Sequence, residues 1–377
     1  MKLRDDLAAQ LPQLRDEDLQ RFCSFYERFA PLLPRIATGL YDRLGAADQA
    51  RFLLWMLKRW AKIDLVNAVE RGLYDGTLER ARTEERPLVS LGGKEYRLRD
   101  LASQGADFKL LGYDWFLGVH DVLYDQYQND KVKLAPGDVI IDAGAFIGDT
   151  AVFFHHRLGG RCQIHSFELL DENLALLLHN LERNGVGDTQ IVVNKLALAD
   201  RSGDEIVVAD GNTQGATSIF GKSGAGDRVV TVTLDEYVVR MNLPRVDFIK
   251  MDIEGAEVMA LKGARQTIAH FKPRLAICLY HQWDDVVTVP QAIHATGVAY
   301  DFHFKWVQLR DGWEAVLLAT PSADVTARPA PPVPAATTDP LADTLAVFCK
   351  AYLKKWNQAD ALWKEKRQAE RGAAVQA

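Results

Sequence analysis

The fold follows from one stretch of the sequence, Gly137-Asp138-Val139-Ile140-Ile141-Asp142-Ala143-Gly144-Ala145-Phe146-Ile147-Gly148-Asp149-Thr150. A β-branched run, 139–141, ends on the carboxylate of Asp142, passes through a loop of small residues and leads into a helix predicted over 151–158. An apolar run between turn residues predicts a buried strand of a parallel sheet. Strand, glycine loop and helix in this order form a nucleotide-shaped pocket at the carboxyl ends of an open α/β sheet.

The loop departs from the G-x-G-x-x-G spacing of dinucleotide sites, because Phe146 stands where that motif has its second glycine. A site that cradles a pyrophosphate is therefore disfavoured, and an NAD enzyme with it. An acidic strand end beside a glycine loop suits a ligand with an ammonium group, a ribose and an adenine but no phosphate. S-adenosylmethionine has this composition and is the predicted cofactor. The alternative is that the loop is only a tight strand–helix turn.

The composition is that of a globular protein with a sizeable core, since 48% of the 377 residues are hydrophobic and 25% are charged. The net charge of −6 gives no overall attraction to nucleic acid or anionic membranes. The four cysteines are scattered without a C-x-x-C pair, which predicts reduced thiols and no zinc site. No stretch reaches about 18 apolar residues, and the charged N-terminus lacks a signal-like segment. We therefore expect a cytoplasmic location and no transmembrane segment.

Four segments are predicted along the chain. Residues 1–115 are predicted to form a mainly helical domain, because helical periodicity extends to about residue 85. Residues 116–320 are predicted to form the next domain, in which strands and helices alternate from 136 onward and predict a parallel sheet with helices on both faces. Residues 321–340 are a Pro/Ala-rich linker, and 341–377 form an amphipathic helix. The apolar stripe of this helix predicts docking onto the protein or onto a second copy, and a basic membrane-surface helix is the alternative.

The predicted elements continue from the first strand along the chain. After it, the predicted core strands are 163–167, 190–197, 246–252 and 273–280. Further predicted elements are extra strands at 206–209 and 229–234, a helix over 256–270, and a closing hairpin of 300–306 with 314–319 around Asp311-Gly312. An earlier hairpin is expected to turn at Gly92-Gly93.

Two further acidic strand ends complete the predicted pocket. Glu168 follows the second strand, where an α/β fold places the carboxylate that accepts ribose hydroxyls, and its alternative role is an exposed strand-end charge. Asp252 ends the strand expected beside the first, so Asp142 and Asp252 flank the point where the strand order reverses. Three carboxylates make a negative pocket suited to a sulfonium. Asp252 and Glu254 also have a spacing that suits Mg²⁺, although nothing in the sequence indicates the metal. The alternative is that Glu254 and Glu257 cap the next helix.

Asp252 and His281 are the candidates for a catalytic base, because both end strands that we expect to be neighbours. A positioned base contributes roughly 10²–10⁴-fold to a reaction at a hydroxyl. A histidine with the ordinary pKa of about 6.5 accepts a proton near neutral pH. The alternative is a structural histidine bonded to neighbouring backbone. Lys250 is expected to anchor a carboxylate.

Four blocks of the sequence together resemble one family. They are VIIDAGAFIGDT at 139–150, FE at 167–168, VDFIKMDIEGAEVMALKGA at 246–264 and LAICLYH at 275–281. In this order they resemble the FkbM-type S-adenosylmethionine-dependent methyltransferases over about residues 120–320. The resemblance implies a class I methyltransferase fold, which is a doubly wound, Rossmann-like sheet of seven strands with the last one antiparallel. It also implies methylation of a hydroxyl on a sugar, glycan or secondary metabolite.

Carried over residue by residue, the resemblance implies a cofactor site at Asp142, Ala143, Gly144, Ala145, Gly148, Asp149, Glu168, Ala197 and Leu198, with the last two beside the adenine. The predicted function is O-methyl transfer from S-adenosylmethionine to a small-molecule or glycan hydroxyl, without nucleic acid as a partner and with a homo-oligomer through the terminal helices left open. One alternative is a non-catalytic protein of the same fold that binds or assembles through its terminal helices. A nucleic-acid methyltransferase is the other, and the net charge disfavours it.

Overall fold

The computed structural model describes residues 2–118, 124–208, 227–308, 312–323 and 343–376. Its first helices are α1 (Lys2–Ala8), α2 (Asp16–Phe29), α3 (Leu33–Gly39), α4 (Ala46–Met56) and α5 (Ala68–Thr83). A π-helical turn, Leu57–Ala61, follows α4. On α2 the apolar face that the sequence predicts, including Phe22 and Tyr26, is buried. The N-terminal region is helical as predicted.

A small antiparallel sheet follows α5. It consists of β1 (Leu88–Leu91), β2 (Lys94–Asp100) and β3 (Lys109–Gly112). Gly92 and Gly93 turn the chain between β1 and β2 with φ of 60° and 81°, which confirms the predicted hairpin. The sequence did not predict β3, because Lys109-Leu110-Leu111-Gly112 does not alternate apolar and polar residues.

Ten further strands belong to two sheets. They are β4 (Asp138–Ala143), β5 (Cys162–Phe167), β6 (Ile191–Asn194), β7 (Leu196–Leu198), β8 (Glu205–Val208), β9 (Asp227–Val232), β10 (Phe248–Met251), β11 (Arg274–Cys278), β12 (Tyr300–Trp306) and β13 (Ala315–Pro321). Strands β7, β9 and β8 form a three-stranded sheet, which contains both predicted extra strands. The other seven strands form the central sheet.

The central sheet has the order β12-β13-β11-β10-β4-β5-β6. The five strands from β11 to β6 are parallel, and β13 runs antiparallel to both β11 and β12. All six residues of β4 are buried, as expected for a strand covered on both faces. The predicted doubly wound sheet of seven strands, with the last antiparallel, is confirmed. Of the turn predicted for the closing hairpin, Asp311 lies outside the described residues.

The helices of this region are α6 (Asp149–Arg157), α7 (Asp171–Arg183), α8 (Leu234–Arg240), α9 (Glu257–Gly263), α10 (Arg265–Phe271) and α11 (Asp285–His294). Two predicted elements are divided. The strand predicted over 190–197 changes partners at Lys195, with β6 pairing to β5 and β7 pairing to β9. The helix predicted over 256–270 breaks at Ala264. Asn194-Lys195 stands at the first change and Gly263 directly before the second, but neither signal shows which partner strand follows or where the next helix begins.

Compactness divides the described chain into two units. One contains the described parts of 1–42, 49–66 and 330–377, and the other those of 43–48 and 67–329. In the first unit the C-terminal helix, α12 (Thr344–Gln376), packs on α2. Tyr26 Oη donates to Asp343 Oδ2 over 3.0 Å, which ties the start of α12 to α2. The predicted docking of this helix onto the protein is therefore confirmed for its first turns.

The predicted domain boundaries at residues 115, 320 and 340 stay predictions, and most of the predicted linker, 324–340, lies outside the described residues. All four cysteines are free thiols, three of them buried and Cys162 partly buried. Among the described helices, none combines the length and the apolar character needed to cross a bilayer.

Candidate active site

Three neighbouring strands of the central sheet bring their carboxyl ends together. The register sets Phe167 of β5 beside Ala143 of β4, and Ala143 beside Met251 of β10. Glu168 and Asp252 therefore leave the sheet on either side of Gly144. This is the point at which the strand order reverses, where open α/β sheets bind their ligands. The structure thus brings together the strand ends that the sequence singles out.

The glycine loop lies directly against the turn that follows β10. Gly144 has a φ of 81°, and a Cβ on it would lie 1.8 Å from the carbonyl oxygen of Asp252. Only glycine fits here, since both the backbone conformation and the space exclude a side chain. The ring of Phe146 turns to an aromatic cluster, 5.7 Å from the rings of Tyr113 and Trp115. The Phe146 side chain therefore packs against these two rings beside the loop.

Asp142 is fully buried and paired with Lys250. Lys250 Nζ lies 3.1 Å from Asp142 Oδ1, and Ser166 Oγ donates to Oδ2 over 3.2 Å. Lys250 also donates to the carbonyl of Gly144 over 2.6 Å. Burial would lower the pKa of Lys250, but the charges of Asp142 and Asp252 outweigh it and raise the pKa above its ordinary value. The expectation that Lys250 anchors a carboxylate is confirmed, and Lys250 links Asp142 to the glycine loop.

Glu168 accepts four hydrogen bonds from its own surroundings. Its Oε1 accepts from the backbone of Leu169 (2.8 Å) and Leu170 (3.0 Å) and from Asn173 Nδ2 (3.3 Å). Its Oε2 accepts from the backbone of Phe146 over 2.8 Å. Burial raises the pKa of this carboxyl, and the hydrogen bonds oppose that shift. Oε2 retains a second lone pair and thus the capacity to accept one more hydrogen bond.

The remaining predicted cofactor residues lie at the end of β4, in the loop after it, at the start of α6 and on β7. Ala143 ends β4, Ala145 and Gly148 lie in the loop, and Asp149 begins α6. Ala197 and Leu198 are buried on β7, and their side chains offer apolar surface. The chain just beyond them packs on the helix after β10, because a Cβ on Gly263 would lie 1.9 Å from the Ala199 carbonyl oxygen.

Asp252 is held by three side chains. Tyr127 Oη donates to its Oδ2 over 2.6 Å, and Tyr280 Oη donates to its Oδ1 over 3.0 Å. His281 Nε2 lies 3.2 Å from the same Oδ1. Although burial would raise the pKa of Asp252, His281, Lys250 and Tyr127 outweigh it and hold the pKa well below its ordinary value. Asp252 is therefore charged at neutral pH and a weak proton acceptor.

His281 is enclosed by carboxylates, and its side chain is only 5% exposed. Its Nδ1 donates to Glu257 Oε1 over 2.8 Å, while Nε2 faces Asp252 and lies 3.6 Å from Glu254 Oε2. Burial would lower the pKa of His281, but Asp252 and Glu257 raise it well above its ordinary value. The ring thus carries both protons at neutral pH and has no lone pair to offer. A ring in this state has to lose a proton before it can accept one, and the role of His281 as general base stays a prediction.

Asp252, Glu257 and His281 are also a candidate metal site. Ligand atoms of Asp252, Glu257 and His281 all lie within 4.8 Å of one another. The two carboxylates, however, approach different nitrogens of the ring, whereas a metal takes one nitrogen of an imidazole and leaves the other to an orienting partner. The arrangement is that of an imidazolium between carboxylates.

We expect His281→Gln to destabilise the protein more at pH 5.5 than at pH 9. The pKa of His281 is raised in the folded protein, so the protonated ring stabilises the fold. This contribution is complete below the pKa of an unfolded histidine, about 6.5, and is lost as the pH rises through the pKa of the folded state. Urea unfolding at both pH values measures this, with His270→Gln as the control because His270 is exposed. An equal loss at both pH values would contradict a charged ring.

Sequence reasoning missed several members of the site. Tyr127 lies outside every motif, and only the fold brings it to Asp252 and to the Lys250 ammonium, 5.1 Å from its ring. The sequence predicts Glu257 only as a helix cap, and Glu257 does accept a hydrogen bond from the backbone of Ile253 over 2.9 Å. Its position in the Asp252-x-Glu-x-x-Glu257 run, one helical turn past the strand end, was the available signal.

Comparisons with known proteins agree with this fold. A family model described as Methyltransferase FkbM domain matches residues 142–309. Among solved structures, the methyltransferase FkbM from Methylobacillus flagellatus KT is 18% identical with a TM-score of 0.51, and the match covers 79% of this chain and 61% of that one. At this identity the likeness concerns the fold, and this chain spans less than two thirds of that protein's length. A search of the curated proteins found no match.

Two further structures are more distant. The precorrin-6y C5,15-methyltransferase from Geobacter metallireducens GS-15 is 11% identical with a TM-score of 0.34, covering 54% of this chain and 87% of that one. Fibrillarin from Aeropyrum pernix, which was solved with bound S-adenosyl-L-methionine, is 12% identical with a TM-score of 0.32, covering 62% and 82%. The family match over residues 142–309 and the seven-stranded sheet confirm the resemblance that the sequence shows, and this part of the chain is similar to the Methyltransferase FkbM domain.

Proposed function

We propose that the protein is an S-adenosylmethionine-dependent methyltransferase that methylates a hydroxyl of a sugar, glycan or secondary metabolite. The observation that carries this proposal is the glycine loop packed on the Asp252 turn, with Glu168 at the neighbouring strand end, inside an FkbM methyltransferase domain. When bound, the cofactor supplies a methyl group on a positively charged sulfur. The chain then has to hold cofactor and acceptor in line, which alone contributes roughly 7–11 kcal/mol in well-oriented systems.

We assign the cofactor side to the strand ends of β4, β5 and β7. Glu168 has one lone pair left on Oε2 for a ribose hydroxyl, and the backbone from Gly144 to Gly148 lies next to it. Ala197 and Leu198 supply apolar surface for the adenine. Asp142 contributes indirectly, because Lys250 joins it to the Gly144 carbonyl. The residues present therefore fit the cofactor, with Asp142 as a support and not as a contact.

We assign the acceptor side to the turn after β10 and the end of β11. Asp252 and His281 form a charged pair there, fixed by Tyr127, Tyr280 and Glu257. Asp252 is a weak proton acceptor and His281 already carries its proton. The role of this pair is therefore to hold the side chains around it in place and to set the electrostatic field at the acceptor side. Proton removal then falls to another residue.

The test of this function is mass spectrometry of a host extract incubated with the protein and methyl-labelled S-adenosylmethionine. We expect label on the oxygen of a small molecule or glycan. Label on nucleic acid would support the rival nucleic-acid methyltransferase. No label, together with no binding of S-adenosylhomocysteine by calorimetry, would support the non-catalytic protein that assembles through its terminal helices.

We expect Glu168→Ala to weaken binding of S-adenosylhomocysteine by about tenfold or more, since a hydrogen bond to a charged group is worth about 1.5–3 kcal/mol. The variant also releases the backbone of Phe146, which Glu168 holds at the loop. Glu168→Gln separates the two effects, because it keeps the size of the side chain and removes its charge. Calorimetry measures both variants, with Glu182→Gln on the exposed face of α7 as the control. Unchanged affinity in both would remove Glu168 from the cofactor site.

A further inference from the structure

We propose that Glu254 is the general base that takes the proton from the acceptor hydroxyl. This inference rests on the proposed function and adds to it the residue that performs proton transfer. Glu254 stands two residues after Asp252, in the turn that packs on the glycine loop, and its Oε2 lies 3.6 Å from His281 Nε2. It is therefore part of the same cluster, on the acceptor side of the strand ends.

Glu254 differs from the other acids of the cluster in its hydrogen bonds. Asp252 accepts from two tyrosines, and Glu257 accepts from the backbone of Ile253. Asp285 accepts from the backbone of Gln282 over 2.6 Å. Within the described chain no group donates a hydrogen bond to the carboxylate of Glu254, and 3.6 Å from His281 is too long for one. Its oxygens are thus available to a hydroxyl.

Exposure points to the same residue. The side chain of Glu254 is 27% exposed, against 19% for Asp252 and none for Glu257. Its backbone has a φ of 55°, an uncommon conformation for a residue other than glycine. Such conformations persist where the surrounding structure holds them, and they concentrate at functional sites. The turn therefore presents a carboxylate that is accessible and has unused acceptor capacity.

The surroundings of Glu254 also suit a base that works near neutral pH. Burial and the charges of Asp252 and Glu257 raise the pKa of Glu254, while the His281 imidazolium opposes them, and the result is about 7. The hydroxyl of Tyr280 is a further titratable neighbour among the described residues. A base with a pKa near the working pH combines a sizeable ionised fraction with a real driving force for proton uptake.

The proposed step is balanced in atoms and electrons. The acceptor oxygen forms its bond to the methyl carbon while the carbon–sulfur bond breaks and leaves its electron pair on sulfur. The hydroxyl proton passes to an oxygen of Glu254, which afterwards releases it to water. No oxidant, reductant or further reactant is needed.

The first experiment observes the proton on Glu254 directly. The full-length protein is labelled with ¹³C at the glutamate side-chain carboxyls and titrated by NMR, with and without Glu254→Gln. We expect one resonance that is absent from the variant and that titrates near pH 7. A resonance of Glu254 that titrates near the ordinary value of about 4.3 would overturn the inference.

The second experiment measures methyl transfer into host extract from labelled S-adenosylmethionine. Glu254→Gln should lower the rate at pH 7 by about 10²-fold or more, because a general base contributes at least that much. Glu254→Asp should retain part of the rate, and the control Glu182→Gln should retain all of it. The wild-type rate should rise with pH through about 7 and then level off, and in Glu254→Gln this rise should disappear.

Calorimetry with S-adenosylhomocysteine separates failure of this inference from failure of the proposed function. In one outcome the wild type binds the nucleoside and transfers label, and Glu254→Gln binds and transfers as the wild type does. The inference that Glu254 is the base is then wrong, and the proposed function stands. If the wild type neither binds the nucleoside nor transfers label, both the inference and the proposed function are wrong. Equal binding by Glu254→Gln with the expected loss of rate supports the inference, because a merely structural role would also lower the affinity.

Discussion

Lys250→Met lowers the free energy of unfolding by about 3–5 kcal/mol, which is the expected cost of leaving one partner of a buried ion pair uncompensated. Asp142 is 0% exposed and Lys250 1% exposed, so neither solvent nor a mobile neighbour can replace the lost charge. The carbonyls of Ala143 and Gly144 lose their donor at the same time. Urea unfolding, followed by the fluorescence of the chain, measures the loss.

The matched control is Lys262→Met, because Lys262 is an exposed lysine on α9. A surface substitution of this kind changes stability by less than about 0.5 kcal/mol. The double variant Lys250→Met with Asp142→Asn should recover part of the loss, since no buried charge is then left alone. If Lys250→Met costs no more than Lys262→Met, or if the double variant is no more stable than the single one, the ion pair does not hold the loop.

The central sheet could be predicted because its signals are local. The run that ends at Asp142 and the run that ends at Asp252 each combine an apolar strand, a carboxylate and a glycine within about a dozen residues. Apolar burial, the main driving force of folding, is encoded directly in such runs. The change of sheet at Lys195 was missed, since it depends on which strand is available to pair and not on the residues themselves.

The candidate site shows the same division between local and distant causes. The positions of Asp142, Glu168, Asp252 and His281 at neighbouring strand ends follow from topology, and the sequence predicts them. The ion pairs of Asp142 and His281 do not follow, because they depend on residues farther away in the chain. Lys250 neutralises Asp142, and Glu257 with Asp252 keeps His281 protonated. Of the three carboxylates that the sequence places in this pocket, Asp142 and Asp252 are in ion pairs, and Glu168 accepts hydrogen bonds from neutral groups.

Gly144→Ala adds a single methyl group, and we expect it to lower the free energy of unfolding strongly. The new Cβ would lie 1.8 Å from the Asp252 carbonyl oxygen, so the loop and the turn after β10 would have to separate. The left-handed backbone, with a φ of 81°, adds its own cost. Together a left-handed alanine at about 1–2 kcal/mol and an overpacked contact at about 1–3 kcal/mol predict a loss of about 2–5 kcal/mol. Binding of S-adenosylhomocysteine should be lost with it.

Gly159→Ala separates the two contributions. Gly159 also has a left-handed backbone, with a φ of 59°, but nothing lies within 4 Å of a Cβ built on it. This variant should therefore lose only the conformational part, about 1–2 kcal/mol, and should bind S-adenosylhomocysteine as the wild type does. The difference between the two variants in urea unfolding measures the contact between the loop and the Asp252 turn. Equal losses would mean that the two segments can move apart freely, and the loop would then be a simple strand–helix turn instead of one wall of a cofactor site.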